Sequence, residues 1–392
     1  MKVLLVNDTF PPDINGSAYF THRLATSLMT RGHKVLAIAP SRTFHDEPSV
    51  RNGVSVFGVW SFPIIHYTNF RVPFPIFIKD ALRKVIQEFA PDIVHLQGHS
   101  ILGRTVMTIA RELHVGVMGT NHFMPENLVH YLHLPTTFED KIKKWAWSDC
   151  RRIFEKLDCV TTPTQTAADL MKKFGFSKPI LALSNGIDLQ RFHPGNDGEF
   201  LKKRYALTDK PTLLYVGRLD KEKNVDLILR ALAKIAPETA PHFLIAGKGF
   251  EEKNLKKLAH ELGLENRVTF AGFVPDEDLP FLYRISHAFI IAGTAELQSL
   301  VTMEAMATGL PIIGVNATAL PELIHDGKNG YLFAPGDIEG LISCIQRLFK
   351  VSNPRQQMGA ESLKLIQAHD INKIMATFES LYTSLSQPNK NS

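Results

Sequence analysis

The chain has 392 residues, with 44% hydrophobic and 21% charged side chains and a formal net charge of +5. At about 150 residues per domain this implies two or three globular domains, and the composition excludes a disordered chain, a coiled coil and a fibrous repeat. Three cysteines, Cys150, Cys159 and Cys344, are too few and too scattered for a disulfide framework or a zinc site, so a reducing compartment is expected.

The N-terminal half opens on a buried-strand pattern, Lys2 to Asn7, followed by a polar loop and a helical pattern from Ala18 to Thr30 that Gly32 closes. Strand patterns recur at Lys34–Ala39, Val54–Val59, Asp92–Leu96, Val115–Thr120, Cys159–Thr162 and Ile180–Leu183, with helical patterns such as Ile101–Leu113 and Glu139–Lys156 between them. Short apolar strands alternating with helices predict a parallel sheet covered on both faces. The first apolar run, Val3 to Val6, stops at Asn7-Asp8, so it is not read as a leader peptide. The most apolar stretch, Gly58 to Ile78, contains Pro63, Pro73 and Pro75 with His66 and Arg71, which rules out a membrane span. A cytoplasmic chain is expected, with attachment at the inner face of a membrane the membrane role left open.

At Ser184-Asn-Gly-Ile-Asp188 the alternation pauses, and a domain boundary is expected there. It restarts with strands at Thr212–Val216, His242–Ala246, Val268–Phe270, Ala288–Ile291 and Pro311–Val315, and helices at Val225–Ile235, Glu251–Leu262, Asp278–Ile285 and Leu300–Ala307. A last helical pattern runs from about Ala360 to Leu385. The expected layout is an acceptor-side domain at 1–184, a nucleotide-sugar domain at 185–365, and a helix at 366–392 free to pack back on the first domain. Two doubly wound α/β domains in series predict ligand binding at the carboxyl ends of the strands, in the cleft where they face each other. Pattern alone does not choose between a transferase, an epimerase and a two-lobed binding protein.

Four segments carry candidate chemistry. In Glu296-Leu-Gln-Ser-Leu-Val-Thr-Met-Glu304, the backbone near Ser299, Leu300 and Val301 opens a helix, where free N–H groups and the dipole suit a phosphate. A carboxylate a turn or two along can accept both hydroxyl hydrogens of a ribose diol. On spacing alone, an amphipathic helix with one solvated Glu is the better account. In Tyr215-Val-Gly217-Arg218-Leu-Asp-Lys-Glu-Lys223, two cations follow a strand end, where they suit a diphosphate or form an ordinary solvated turn. Asn7 to Ser17 is a loop of small residues before a helix, containing Gly16, and by itself reads as a connecting turn. His122, just past a strand in Thr120-Asn-His-Phe-Met-Pro-Glu126-Asn127, could bond a sugar hydroxyl, although a structural histidine is the default.

In combination these segments resemble the retaining family-4 glycosyltransferases, from Lys2 to about Leu348. The most specific part is the pair Glu296 and Glu304 with Glu-Ala-Met-Ala and Gly309-Leu-Pro311. Support comes from Val216-Gly-Arg-Leu with Lys223, Ala246-Gly-Lys-Gly249, Phe270-Ala-Gly-Phe-Val-Pro275, Ser184-Asn-Gly-Ile-Asp188 and Asp92-Ile-Val-His95. The resemblance implies a GT-B fold and a nucleotide-sugar donor, UDP-linked hexose being the expected one. It places Glu304 on the ribose and Glu296 on the donor sugar. Gly217, Arg218 and Lys223 fall at the diphosphate with the amides near Ser299 and Leu300, and Phe273 and Val274 beside the base. It brings Gly16 to the diphosphate and His122 to the transferred sugar. His122, Glu296, Arg218 and Lys223 are the expected catalytic set. No metal or other cofactor is implied. Leu297-Gln298-Ser299 stands where the family often has Gly-Phe-Gly, and only Gly16 matches a frequent glycine pair.

The charge excess falls wholly within residues 1–190, which hold 21 Lys and Arg against 16 Asp and Glu. It is too modest to point to nucleic acid. Basic and aromatic residues mix in Glu139–Lys156, near Asn127–Leu134, and Trp60–Ile78 is rich in Phe and Ile. With a resemblance to members that glycosylate membrane lipids, these segments point to a lipid acceptor such as diacylglycerol at an anionic membrane surface. The alternatives are a UDP-sugar 2-epimerase on the same fold and a non-catalytic nucleotide-sugar binder. Asp276-Glu-Asp278 formally reads as a metal motif but is expected to be a helix cap with first-turn acids. The pairs His95/His99 and His130/His133 have ligand-like spacing with no carboxylate or Cys set beside them.

Overall fold

A computed structural model describes residues 1–13, 15–43, 45–64, 67–125, 136–195, 197–207, 210–350 and 352–386. The chain divides into two compact units, one holding described residues of 1–125, 136–185 and 372–386, the other residues of 186–371.

In unit 1 the strands are β1 (Lys2–Val6), β2 (Lys34–Pro40), β3 (Glu47–Arg51), β4 (Val54–Val59), β5 (Ser61–Ile64), β6 (Tyr67–Pro73), β7 (Ile93–Leu96), β8 (Gly116–Thr120), β9 (Cys159–Thr162) and β10 (Ile180–Ala182). Eight of them form one sheet in the order β10-β9-β8-β7-β1-β2-β4-β3, parallel except for the edge strand β3. Near-continuous Val, Ile and Leu in the central strands reflects burial on both faces: Leu4 pairs with Leu36 on one side and Val94 on the other. Helices are set by caps legible in the sequence: Asn15, Ser100 and Thr164 each accept from a first-turn N–H. The Pro-rich stretch after Gly58 folds as the separate β5–β6 hairpin and a helix, Pro75–Phe89, started by Pro75 and ended by Ala90 at φ 48.

Unit 2 contains β11 (Thr212–Val216), β12 (His242–Ala246), β13 (Val268–Gly272), β14 (Ala288–Ile291), β15 (Ile312–Val315) and β16 (Gly330–Phe333). They form an all-parallel sheet in the order β13-β12-β11-β14-β15-β16. Order reverses at β11, so the carboxyl ends of β11 and β14 flank the switch point where α/β sheets bind ligands. Strand β16 escapes the apolar-run reading because it is short and opens at Gly330, directly against the Ile312 carbonyl.

The long C-terminal helical pattern is two helices, Ser352–Leu365 and Ile371–Ser386, separated by a 3₁₀ turn at Ile366–His369. Bonds from Ile187 N–H to His369 O (2.8 Å) and from Ile371 N–H to Ile187 O (2.9 Å) fix the break. Beyond it, Phe378 and Tyr382 are buried in unit 1, and Glu379 pairs with Arg31 at 3.0 Å.

Candidate active site

In unit 2 the ligand-facing edge is built by glycines that let two loops touch. Gly217 (φ 156) ends β11 and Gly247 (φ 146) ends β12, and a Cβ on Gly247 would strike the Gly217 carbonyl. Bonds from Gly217 N–H to Ala246 O (3.0 Å) and from Leu219 N–H to Lys248 O (2.9 Å) continue the pairing past the strands. The loop that carries Arg218 is thereby held rigidly at the sheet edge.

Both cations there are already gripped by carboxylates. Arg218 pairs with the buried side chains of Asp220 and Glu222, the latter at 3.0 Å. Lys223 Nζ lies 2.7 Å from Glu296 Oε1, both side chains largely buried. Asn224, at φ 51, donates to Ala292 O at 3.0 Å and ties this turn to the end of β14. With Asp220, Glu222 and Glu296 beside Arg218 and Lys223, the carboxylates position the cations more than they leave a bare positive patch.

Ser299 is the N-cap of the Leu300–Ala307 helix, accepting from Thr302 N–H at 3.3 Å. The Leu300 and Val301 amides precede the first intrahelical bond, as anion-binding helix ends require. Glu304, one turn in, takes a 2.8 Å bond from the phenol of Tyr283. Burial, and then the neighbouring Glu304 charge, raise the Tyr283 phenol well above its ordinary pKa, so it stays a donor. Arg191 lies near Glu304 and is tied to Asp276 at 2.8 Å. Phe273 is half exposed, whereas Val274 is buried in the core, so of the two only Phe273 presents its side chain to solvent.

The unit 1 candidates cluster at the carboxyl ends of β1, β7 and β8. Gly16 is the first residue of the Gly16–Thr30 helix, and among the described residues nothing beyond its chain neighbours and the helix's own backbone comes within 4 Å of a Cβ built there. His122 shares a 2.9 Å bond with Gln97 Oε1 and rests against Phe20, ring centroids 5.0 Å apart. Burial lowers its pKa to about 4, so the ring is neutral near pH 7. Asp8 is raised to about 6 by burial, against the pull of a bond from Ser100 and the Arg104 charge.

Several expectations need correcting. Asp278 occupies the N-cap position of the Leu279–Arg284 helix but makes no side-chain cap bond; it pairs with Arg204, and Asp276 with Arg191. His95 is bonded through both nitrogens, to Tyr382 at 2.7 Å and Thr120 at 2.6 Å, and its pKa falls to about 3 through burial. His99 instead faces Phe123 and Asp149. His130, His133, Glu126, Asn127 and the Asn127–Leu134 segment lie outside the described residues. Sequence reasoning missed Gln97, Tyr283 and the part Asp220 and Glu222 play. The alternation Arg218, Asp220, Glu222 around a turn was the available signal for the last; Tyr283 lies 21 residues from its partner Glu304 and left none.

The chain matches the family described as Glycosyltransferase Family 4 over residues 14–191 and that described as Glycosyl transferases group 1 over residues 197–364. It is 27% identical over 385 residues to the alpha-monoglucosyldiacylglycerol synthase of Streptococcus pneumoniae, covering 96% of this chain and 85% of that one. It is also 27% identical over 336 residues to a GDP-mannose-dependent alpha-mannosyltransferase of Corynebacterium glutamicum, covering 85% of this chain and 76% of that one. Among solved structures, a sucrose-phosphate synthase from Thermosynechococcus elongatus matches with TM-score 0.84 at 20% identity, over 98% of both chains.

Proposed function

The chain belongs to the family-4 glycosyltransferases, with the two Rossmann-like domains of the GT-B fold, and on that premise we propose that it moves a hexose from a nucleotide sugar, UDP-linked, to a membrane lipid with retention at the anomeric carbon. The observation that carries the reading is the convergence of Arg218, the Lys223–Glu296 pair, the Ser299-capped helix end and Glu304 at one edge of the unit 2 sheet. Cleaving the bond from sugar to phosphate leaves charge on the diphosphate and oxocarbenium character on the sugar. Arg218, Lys223 and the helix end stabilise the first, and Glu296 faces the second. Attack by the acceptor on the face the diphosphate leaves needs no protein nucleophile. Glu304 holds the ribose, Phe273 the base, and His122 a sugar hydroxyl.

The lipid acceptor is supported by two exposed surfaces of unit 1. The Thr136–Phe154 helix buries Trp147, Cys150 and Phe154, yet leaves Phe138 and Trp145 exposed, two turns apart, with Lys141 and Lys144 between them. Trp145 is 67% exposed, a poor place for an indole in water and a good one at a headgroup layer. On the other surface Trp60, Phe62, Phe74 and Phe77 touch ring to ring, Trp60 and Phe77 at 5.3 Å, with Phe77 63% exposed. Among the described residues no helix is long and apolar enough to cross a membrane. A relative named for glucosylating diacylglycerol spans nearly the whole chain.

The test is nucleotide release from UDP-glucose, UDP-galactose, UDP-N-acetylglucosamine and GDP-mannose, with and without vesicles of diacylglycerol and anionic phospholipid, on wild type and Glu304→Ala. Lipid-dependent release lost in the variant is the expected result. Release from GDP-mannose alone would replace UDP in the reading, and release without lipid would remove the lipid acceptor.

A further inference from the structure

Gln97 immediately follows β7, between the carboxyl ends of β1 and β8 in the middle of the unit 1 sheet. Its main-chain N–H bonds Val6 O at 2.8 Å, and its side-chain Oε1 shares a 2.9 Å bond with His122 Nε2. Gln97 is only 3% exposed, and among the described residues its carboxamide Nε2 has no acceptor. A buried amide hydrogen without a partner is uncommon in a folded protein.

The 2.9 Å bond to His122 forms in either orientation of the amide, because the imidazole nitrogen donates to Oε1 or accepts from Nε2. A hydroxyl, which both donates and accepts, matches either. His122 adds to the same chemistry: neutral and bonded through Nε2, it has Nδ1 as a further hydrogen-bonding atom. The next residue, Gly98, has no side chain, and Asp8 Oδ2 lies 3.5 Å from where its Cβ would stand.

We propose that Gln97 is a specificity-determining residue of the transfer reaction, its carboxamide hydrogen-bonding one hydroxyl of the hexose while it holds His122 in place. This rests on the proposed function, because the hydroxyl belongs to the transferred sugar. Asp8, whose carboxyl accepts from Ser100, lies beside Gly98 next to Gln97.

The test compares wild type, Gln97→Met and Gln97→Glu with whichever of UDP-glucose and GDP-mannose turns over, and with the 2-, 3-, 4- and 6-deoxy analogues of that donor. Thermal unfolding of each variant is measured alongside. Gln97→Met is expected to lower kcat/KM about tenfold on the intact sugar. On one deoxy analogue, and on that one only, the loss should vanish. If Gln97→Met does not fold, Gln97→Glu carries the same comparison, since it keeps an oxygen for His122 and loses the amide hydrogens. Equal losses on every analogue would mean that Gln97 only supports His122, and kcat/KM within twofold of wild type would mean that water fills the place; either overturns the inference while leaving the function intact. Absence of turnover with both donors would remove the function and this inference together.

Discussion

Lys223 and Glu296 close a largely buried ion pair of 2.7 Å, although 73 residues separate them in the chain. Each holds the other in place at the switch point of the unit 2 sheet. On the proposed function, Lys223→Ala removes a cation from the diphosphate and also frees a carboxylate beside the sugar. Expected is a fall in kcat of about 10² to 10³, the usual cost of losing one preorganised charge-stabilising group. Glu296→Ala should cost a similar factor, and the double variant little more than the worse single one, because the two act as a unit. Additive losses in steady-state nucleotide release would show that the pair is incidental to the chemistry.

Tyr283 is buried and donates its phenol hydrogen to Glu304, at 2.8 Å. Tyr283→Phe keeps the ring contacts with Phe192 and Phe289 and removes one hydrogen bond. Glu304 then swings more freely, so KM for the donor should rise about fivefold to tenfold with kcat nearly unchanged. A change in kcat at constant KM would place Glu304 on the reacting atoms instead of the ribose.

Two glycines separate folding from binding. Gly247→Ala forces an L side chain to φ 146 and into the Gly217 carbonyl, and unit 2 should lose more than about 4 kcal/mol or fail to fold. Gly16→Ala meets nothing within 4 Å among the described residues beyond its own helix and chain neighbours and sits in the first turn of a helix, so its thermal midpoint should stay within about 2 °C of wild type. If donor or acceptor occupies that space, activity falls although stability does not. Full activity in Gly16→Ala would show that no ligand approaches there.

Most strands of both sheets were legible because a strand buried on both faces reads as an apolar run: Thr212–Val216 and Ala288–Ile291 fall where the pattern puts them, and Val54–Val59 does so although Ser55 is exposed. What stayed hidden has particular causes. Edge strand β3, Glu47–Arg51, is half exposed and carries no apolar run. The β5–β6 hairpin hides among prolines that argue against a central strand. The C-terminal break at Asp370 comes from backbone bonds to Ile187, a tertiary partner that no local pattern encodes. In the site, residues at strand ends followed from topology, so Arg218, Lys223 and His122 could be named. Of their partners, Glu222 left a signal in the alternation Arg218, Asp220, Glu222, whereas Gln97 could be known only from space.

Stability should fall in acid, and unit 1 should lead. Burial lowers His95 to about 3, and His99 and His122 to about 4. Unfolded histidines titrate near 6.5, so below that pH the unfolded chain binds more protons than the folded one. Stability that is whole above about pH 6.5 is then lost as pH falls toward 4. Asp8 runs the other way: its folded value of about 6 exceeds the unfolded 3.8, so its carboxyl favours the folded state below about pH 4 and that contribution is lost as pH rises through 6. These three histidines against Asp8 alone give a slope of about 2 to 3 kcal/mol per pH unit between 6 and 4.5; burial also lowers His242, His287 and His369 in unit 2, which add to it, and raises Asp13, which opposes it. Thermal midpoints measured across pH 4.5 to 7.5 should therefore drop on the acid side. Asp8→Asn removes an opposing group and should steepen the drop. A flat profile would mean that His95, His99 and His122 are more open to water than their burial implies, and a shallower one in Asp8→Asn would mean that the Asp8 carboxyl is not raised by burial.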